Sequence, residues 1–229
     1  MFVILSVAVL AAVESFSGKP YVSAAPIIER VAFEAASSHE QMAETAELSC
    51  IISRFDPIMR RVGEEEGQDW RLMSAIAYSE SRFIENLVSS QGASGIMQIR
   101  PIVARHFNVP VEAINDTETN IRLASKLLTE LGKMLRIPST TPNDDRLRII
   151  LASYNAGIGH VLDARRMARA EGANPNSWES VSRYLKLKAD PAYYTMDVVQ
   201  NGRFTGSGQT LNYVDEVMRK YNQYCSLAS

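Results

Sequence analysis

Beyond its first two dozen residues the chain has no run in which apolar and polar side chains alternate cleanly; apolar residues recur instead at intervals of three and four. Alternation is what a half-buried strand needs, whereas the three-four interval lines up one face of a helix. The pattern therefore predicts a nearly all-α fold. Residues 27–48 are Ala- and Glu-rich with a mixed helical pattern. Asp69 is an N-cap for a helix running to about Phe83. Asn115-Asp116 opens a long helix whose apolar side carries Ile121, Ala124, Leu127, Leu128, Leu131, Met134 and Leu135. Pro142 to Asp145 starts another, through Leu147, Ile150, Leu151 and Tyr154, which stops at Ala156-Gly157-Ile158-Gly159. Further helices are predicted over 160–170, 178–185 and 210–224, the last with Tyr213, Val214, Val217, Met218 and Tyr221 on one stripe. No repeat or low-complexity tract interrupts the chain, which from about residue 47 reads as one domain.

Charge and composition exclude some function classes. The 229 residues carry 24 Lys+Arg against 26 Asp+Glu, a formal charge of −2. A protein that grips a polyanion usually shows a basic excess, so nucleic acid is not expected as a partner. Three His and two Cys argue against a His/Cys metal cluster, and no metal or cofactor is expected. Met1 to Val13 is almost unbroken apolar sequence, too short for the ~20 residues that span a bilayer comfortably but suited to the core of a secretory signal. Val22-Ser23-Ala24 is a small-residue cleavage site, although no Lys or Arg precedes the apolar run. Residues 1–24 thus read as a signal peptide or a membrane anchor, with a buried core helix as the alternative. In an exported protein Cys50 and Cys225 read as a disulfide or as two buried thiols; a bond would close a loop of about 175 residues, for at most roughly 5 kcal/mol.

The helix from Asp69 contains a carboxylate in an unusual place. Glu80 follows Ala77, Ile76 and Met73 by three, four and seven residues, which puts it on an apolar stripe. Burial opposes ionisation, so its pKa should rise, and a carboxylic acid kept protonated near neutral pH is what a general acid requires. Taken alone, the helix equally allows a Glu80 that caps a buried polar group or pairs with Arg82. The segment Ser89-Ser90-Gln91-Gly92-Ala93-Ser94-Gly95-Ile96-Met97-Gln98-Ile99-Arg100-Pro101 follows. Its glycines permit positive φ and close backbone approach, its Ser, Gln and amide groups suit a cleft that reads hydroxyl and acetamido groups, and Pro101 can begin the next helix.

Glu80-Ser81, Ser89, and Gly92-Ala93-Ser94-Gly95-Ile96-Met97-Gln98 with Pro101 resemble the first two motifs of the SLT-type, family 1 lytic transglycosylases of glycoside hydrolase family 23. Ala152-Ser153-Tyr154-Asn155-Ala156-Gly157 resembles the third, with Ser153 inserted so that the Tyr-Asn core carries over. Thr210-Leu211-Asn212-Tyr213-Val214 resembles the fourth. The motifs stand in the family's order across residues 55–224, and His160-Val161-Leu162-Asp163-Ala164-Arg165 is similar to the membrane-associated branch. The resemblance implies a goose-type-lysozyme-like helical domain with a substrate cleft over residues 55–229, a helical extension over 25–54, and the leader before it. It implies cleavage without water of the β-1,4 bond between N-acetylmuramic acid and N-acetylglucosamine in peptidoglycan glycan strands, in the periplasm or cell envelope.

By the same resemblance Glu80 is the catalytic acid and then base. Ser89 would hydrogen-bond Glu80 or the acetamido group, Met97 and Gln98 would line the cleft floor, with ordinary core as the other reading of Met97, and Tyr154 would orient Glu80 or the acetamido carbonyl. Asn155 would support the site at its helix end, and Tyr213 would touch sugar or carboxylate. Ser81, Gly92 and Gly95 are structural supports, and Glu64-Glu65-Glu66 reads as a solvated helix face. A lysozyme-like hydrolase of the same fold would need a second carboxylate; Asp116 and Asp163 read as a helix cap and a helix-surface residue. A non-catalytic peptidoglycan-binding assembly protein is the remaining alternative.

Overall fold

The structure, a computed structural model, describes residues 51–227. The leader at 1–24, the helical pattern at 27–48 and Cys50 lie outside the described residues, and with them the pairing of Cys50 with Cys225. Among the described residues the chain is built from helices, and the β pairing consists of two isolated bridges, Val88 with Ser94 and Ser94 with Ile99. No described helix is long and apolar enough to cross a membrane.

The first helix, α1 (Asp56–Glu66), has Pro57 in its first turn and ends at Gly67, whose φ of 69° reverses the chain. Asp69 caps α2 (Trp70–Ser81) by accepting the N–H of Arg71 at 2.9 Å. Helix α2 stops two residues earlier than its sequence pattern suggests, because Arg82 and Phe83 both take left-handed φ, 54° and 63°. Pro101 opens the short α3 (Pro101–His106), and a 3-10 turn (Val111–Asn115) leads to α4 (Thr117–Leu135), capped by Asp116 on the Thr119 N–H. Helices α5 (Asn143–Ala156) and α6 (Ile158–Ala170) meet at Gly157. Ser177 caps α7 (Trp178–Leu187), one turn of helix follows as α8 (Pro191–Tyr194), and α9 (Ser207–Leu227) completes the domain.

Helix α2 packs against α9 and α1, α9 also packs against α5, and α6 packs against α7. Leu72 through Ala77 are all buried, so the middle of α2 is covered on every side and not along one stripe. Each large side chain there, such as Met73 or Ile76, contributes about 1.5–3 kcal/mol by leaving water. Two expectations change. Met134, placed by its spacing on the apolar side of α4, is 50% exposed, because it lies with the half-buried Leu127 on the edge of a stripe whose centre, through Leu128, Leu131 and Leu135, stays buried. Asp163, read as a helix-surface residue, is fully buried, because its carboxylate satisfies partners from two other segments. The acidic run at 64–66 is more than a solvated face: Glu65 and Glu66 pair with Arg122 of α4 at 2.7 and 3.1 Å.

Candidate active site

The C-terminal end of α2 delivers Glu80 to the wall of a cleft of about 940 Å3. The 89–100 loop forms one part of that wall, and the end of α5 and the start of α9 contribute Tyr154, Asn155, Thr210 and Tyr213. Glu80 is half-buried, reached from the cleft but packed round by the core. That burial pushes its carboxyl pKa up to about 7, with Tyr213 acting against it. At neutral pH the group therefore exchanges its proton readily in both directions. Arg82 does not neutralise it; Arg82 pairs with Glu216 at 2.8 Å.

Two phenols flank the carboxylate. Burial and the charge of Glu80 hold Tyr154 and Tyr213 well above the usual phenol range, so both stay protonated. Tyr154 donates to the backbone carbonyl of Met97 at 2.8 Å. Its tether to the loop, and not a bond to Glu80, fixes its place. Tyr213 is close enough to lower the pKa of Glu80, yet its buried hydroxyl lies outside hydrogen-bond geometry to any of the described residues. The hydroxyl of Ser79, also on the cleft wall, is likewise buried without a partner among the described residues.

The loop owes its shape to Asn120 of α4, which the sequence pattern did not single out. Its Nδ2 donates to the carbonyls of Ser94 and Ile114, both at 2.8 Å, and its Oδ1 accepts the Met97 N–H at 2.8 Å. Gly95, at φ 79°, is required at this contact: a Cβ there would stand 2.5 Å from Asn120 Nδ2. Gly92, at φ 76°, turns in open space. Ser81 donates toward the carbonyls of Ala77 in its own helix and Ile96 in the loop, bracing α2 against the loop.

Ser89, Gln98, Tyr154, Asn155 and Tyr213 all border the cleft with Glu80. Ser89 Oγ accepts the Ala93 N–H at 3.0 Å, a turn bond that leaves its hydroxyl hydrogen for another acceptor. Gln98, at φ 49°, donates through Nε2 to Leu87 and Gly95 carbonyls. Asn155 accepts from Thr210 Oγ1 at 2.9 Å, joining α5 to α9. Met97 is corrected: its side chain is fully buried in the core and off the cleft lining, so its contribution is the backbone that holds Tyr154 and Asn120. Glu216, one turn beyond Tyr213, and Phe204 also line the cleft. Their spacing on α9 and on an irregular segment carries no periodic signal that singles them out. Among the described residues no group of three or more His, Cys, Asp or Glu side chains could hold a metal ion.

The profile of the transglycosylase SLT domain family matches residues 57–176, more than half of the chain. The chain belongs to this family. The SLT profile spans the helix of Glu80, the Asn120-supported loop and the Tyr154-Asn155 end of α5. This SLT chain is 33% identical over 168 residues to the membrane-bound lytic murein transglycosylase F of Alcanivorax borkumensis, covering 73% of the present chain and 34% of that protein. It is 32% identical over 171 residues to the protein of the same description from Marinobacter nauticus, covering 75% and 33%. The chain thus spans about a third of the length of these relatives. It is also similar to the 70 kDa soluble lytic transglycosylase of Escherichia coli, with 22% identity and a TM-score of 0.48 over 80% of this chain and 26% of that one.

Proposed function

We propose that this protein is a peptidoglycan lytic transglycosylase that cleaves the β-1,4 bond between N-acetylmuramic acid and N-acetylglucosamine. The observation that carries the reading is a half-buried glutamate, Glu80, with a pKa of about 7, set beside two protonated tyrosines on the wall of a polar cleft. A group near its own pKa at working pH serves as acid and as base in turn.

In the first step protonated Glu80 gives its proton to the glycosidic oxygen, and the bond from that oxygen to C1 of muramic acid breaks. The 2-acetamido carbonyl of the same sugar carries the developing positive charge at C1, in place of the second carboxylate of most glycosidases. In the second step the Glu80 carboxylate takes the proton of the C6 hydroxyl while O6 bonds to C1. The product is a 1,6-anhydro-muramic acid end, and no water is consumed. Tyr213 supplies a neutral donor beside the carboxylate as its charge changes, while Tyr154, whose hydrogen goes to Met97, remains a neutral phenol next to it.

Glu216 supports a second reading, hydrolysis, because it is a further carboxylate on the cleft wall. Its pairing with Arg82 weighs against its acting as a free base on water. Purified sacculi treated with the full chain distinguish the two. Anhydro-muramic ends detected by mass spectrometry support the transglycosylase; reducing muramic ends in their place would establish a hydrolase, and no release by a stable protein would favour a non-catalytic role. Peptidoglycan as partner, the names of the relatives and the apolar 1–24 segment together support placement in the cell envelope, with 1–24 as leader or anchor and 55–229 as the catalytic domain.

A further inference from the structure

Between α8 and α9 the chain runs through residues 195–206 without regular secondary structure. It is held by side chains that the chemistry at Glu80 does not use. Asp163 of α6 accepts the backbone N–H groups of Gln200 at 2.9 Å and Asn201 at 2.8 Å, and it pairs with Arg166 and Lys188. Arg166 also donates to the Val198 carbonyl at 2.8 Å. Lys188, as fully buried as Asp163, reaches His160 Nδ1 at 2.7 Å, and its own carbonyl accepts the Phe204 N–H at 3.2 Å. Burial opposes the charge on Asp163, but the bonds from Lys188, Gln200, Asn201 and Arg166 outweigh it and bring the pKa to about 2. A buried ion pair adds little net stability over apolar packing of the same volume; what it can supply is a defined geometry.

What this support holds is Phe204. Its ring stacks on the His160 ring, with centroids 4.5 Å apart and 28° between planes. The absent Cβ of Gly206 leaves space for the ring edge, 3.1 Å from where that atom would lie. Burial and the neighbouring Lys188 lower the His160 pKa, so the imidazole stacks neutral, with Nδ1 accepting from the ammonium. Phe204 and Gly206 both line the cleft that contains Glu80. An aromatic surface among polar groups offers the C–H face of a pyranose an apolar partner while its hydroxyls keep theirs.

We propose that Phe204 is a sugar-stacking wall of the cleft, and that His160, Lys188 and Asp163 are positioning residues that hold its ring in place. The proposal rests on the reading of the cleft as a glycan site.

The test uses the full chain carrying Glu80→Gln, titrated calorimetrically with N-acetylchitotetraose, beside wild-type kinetics on sacculi. Phe204→Leu keeps apolar volume but removes the ring. It is expected to weaken tetrasaccharide binding about tenfold, the upper end for one aromatic contact, while Phe204→Trp retains it. On sacculi Phe204→Leu is expected to raise KM with kcat nearly unchanged. His160→Ala is expected to weaken binding in the Phe204 background and to add nothing in the Phe204→Leu background, a coupling that a merely structural role would not produce. Unchanged binding and KM for a folded Phe204→Leu would overturn the stacking wall, and additive losses would overturn the positioning role. If the wild type releases nothing from sacculi and the Glu80→Gln chain binds no tetrasaccharide, the glycan-site reading itself fails. Sacculus release by the wild type together with an unchanged KM for Phe204→Leu removes the present proposal alone.

Discussion

Tyr154 gives its hydroxyl hydrogen to the carbonyl of Met97 at 2.8 Å, joining the end of α5 to the loop after α2. The bond crosses two segments 57 residues apart and holds a neutral phenol beside Glu80. Tyr154→Phe leaves the Met97 carbonyl without that donor and is expected to lower unfolding stability by about 1–3 kcal/mol. Chemical denaturation of the two proteins checks the value, and kcat should fall with KM little changed if the phenol also serves the reaction.

The raised pKa of Glu80 has a stability consequence with a definite sign. Its carboxyl moves from an ordinary 4.5 to about 7 on folding, so between these values the folded state binds more protons than the unfolded one. Stability therefore falls as pH rises through that window. Glu80→Gln, which has nothing to ionise, should match wild type below pH 4.5 and exceed it above pH 7 by up to about 3 kcal/mol. Equal denaturation midpoints for the two proteins at pH 8 would show that burial does not raise this pKa.

The same group sets the pH profile of activity. The initial proton donation needs Glu80 protonated, so kcat/KM on sacculi should decline as pH rises through about 7. Tyr213 lowers the Glu80 pKa, and Tyr213→Phe should move that alkaline limb to higher pH. A limb that stays in place would exclude Tyr213 from tuning the carboxylate.

Two glycines of one loop should respond unequally. Gly92→Ala meets open space and carries the left-handed φ cost of about 1 kcal/mol. Gly95→Ala adds a collision with Asn120 at 2.5 Å and should lose at least about twice as much. It should also lose sacculus release, because Asn120 holds the Met97 N–H. Thermal melts of the paired variants and a release assay check the ranking.

Asp163 keeps a buried lysine paired. Asp163→Ala strands Lys188 and is expected to cost about 3–5 kcal/mol, whereas Asp163→Leu with Lys188→Met should recover much of it. The pKa of Asp163 is depressed, from 3.8 to about 2. Its ionised form thus contributes fully above pH 3.8, and the contribution is lost as pH falls through about 2. Acid denaturation of wild type against the double variant should reveal the difference below pH 3.8.

Helix order, caps and the motif residues were legible from local rules. Asp69 and Asp116 cap their helices because a short acceptor before an apolar run satisfies free N–H groups whatever surrounds it. The spacing of Glu80 from Met73 and Ile76 implied burial, and burial raised its pKa. Other positions depended on contacts between distant segments. Asn120 supports a loop more than twenty residues earlier in the chain, Asp163 is buried by a lysine and by backbone from other segments, and Glu216 and Phe204 enter the cleft from elements without an informative period. Met97 sits in a motif, but tertiary packing turned its side chain into the core. The sequence by itself determined most of the long helices, their N-terminal caps and the acid near the end of α2, since those follow from neighbours within one or two turns. Only the tertiary structure decided which polar groups share the cleft and which are buried, because hydrogen-bond satisfaction and desolvation depend on what the fold brings together.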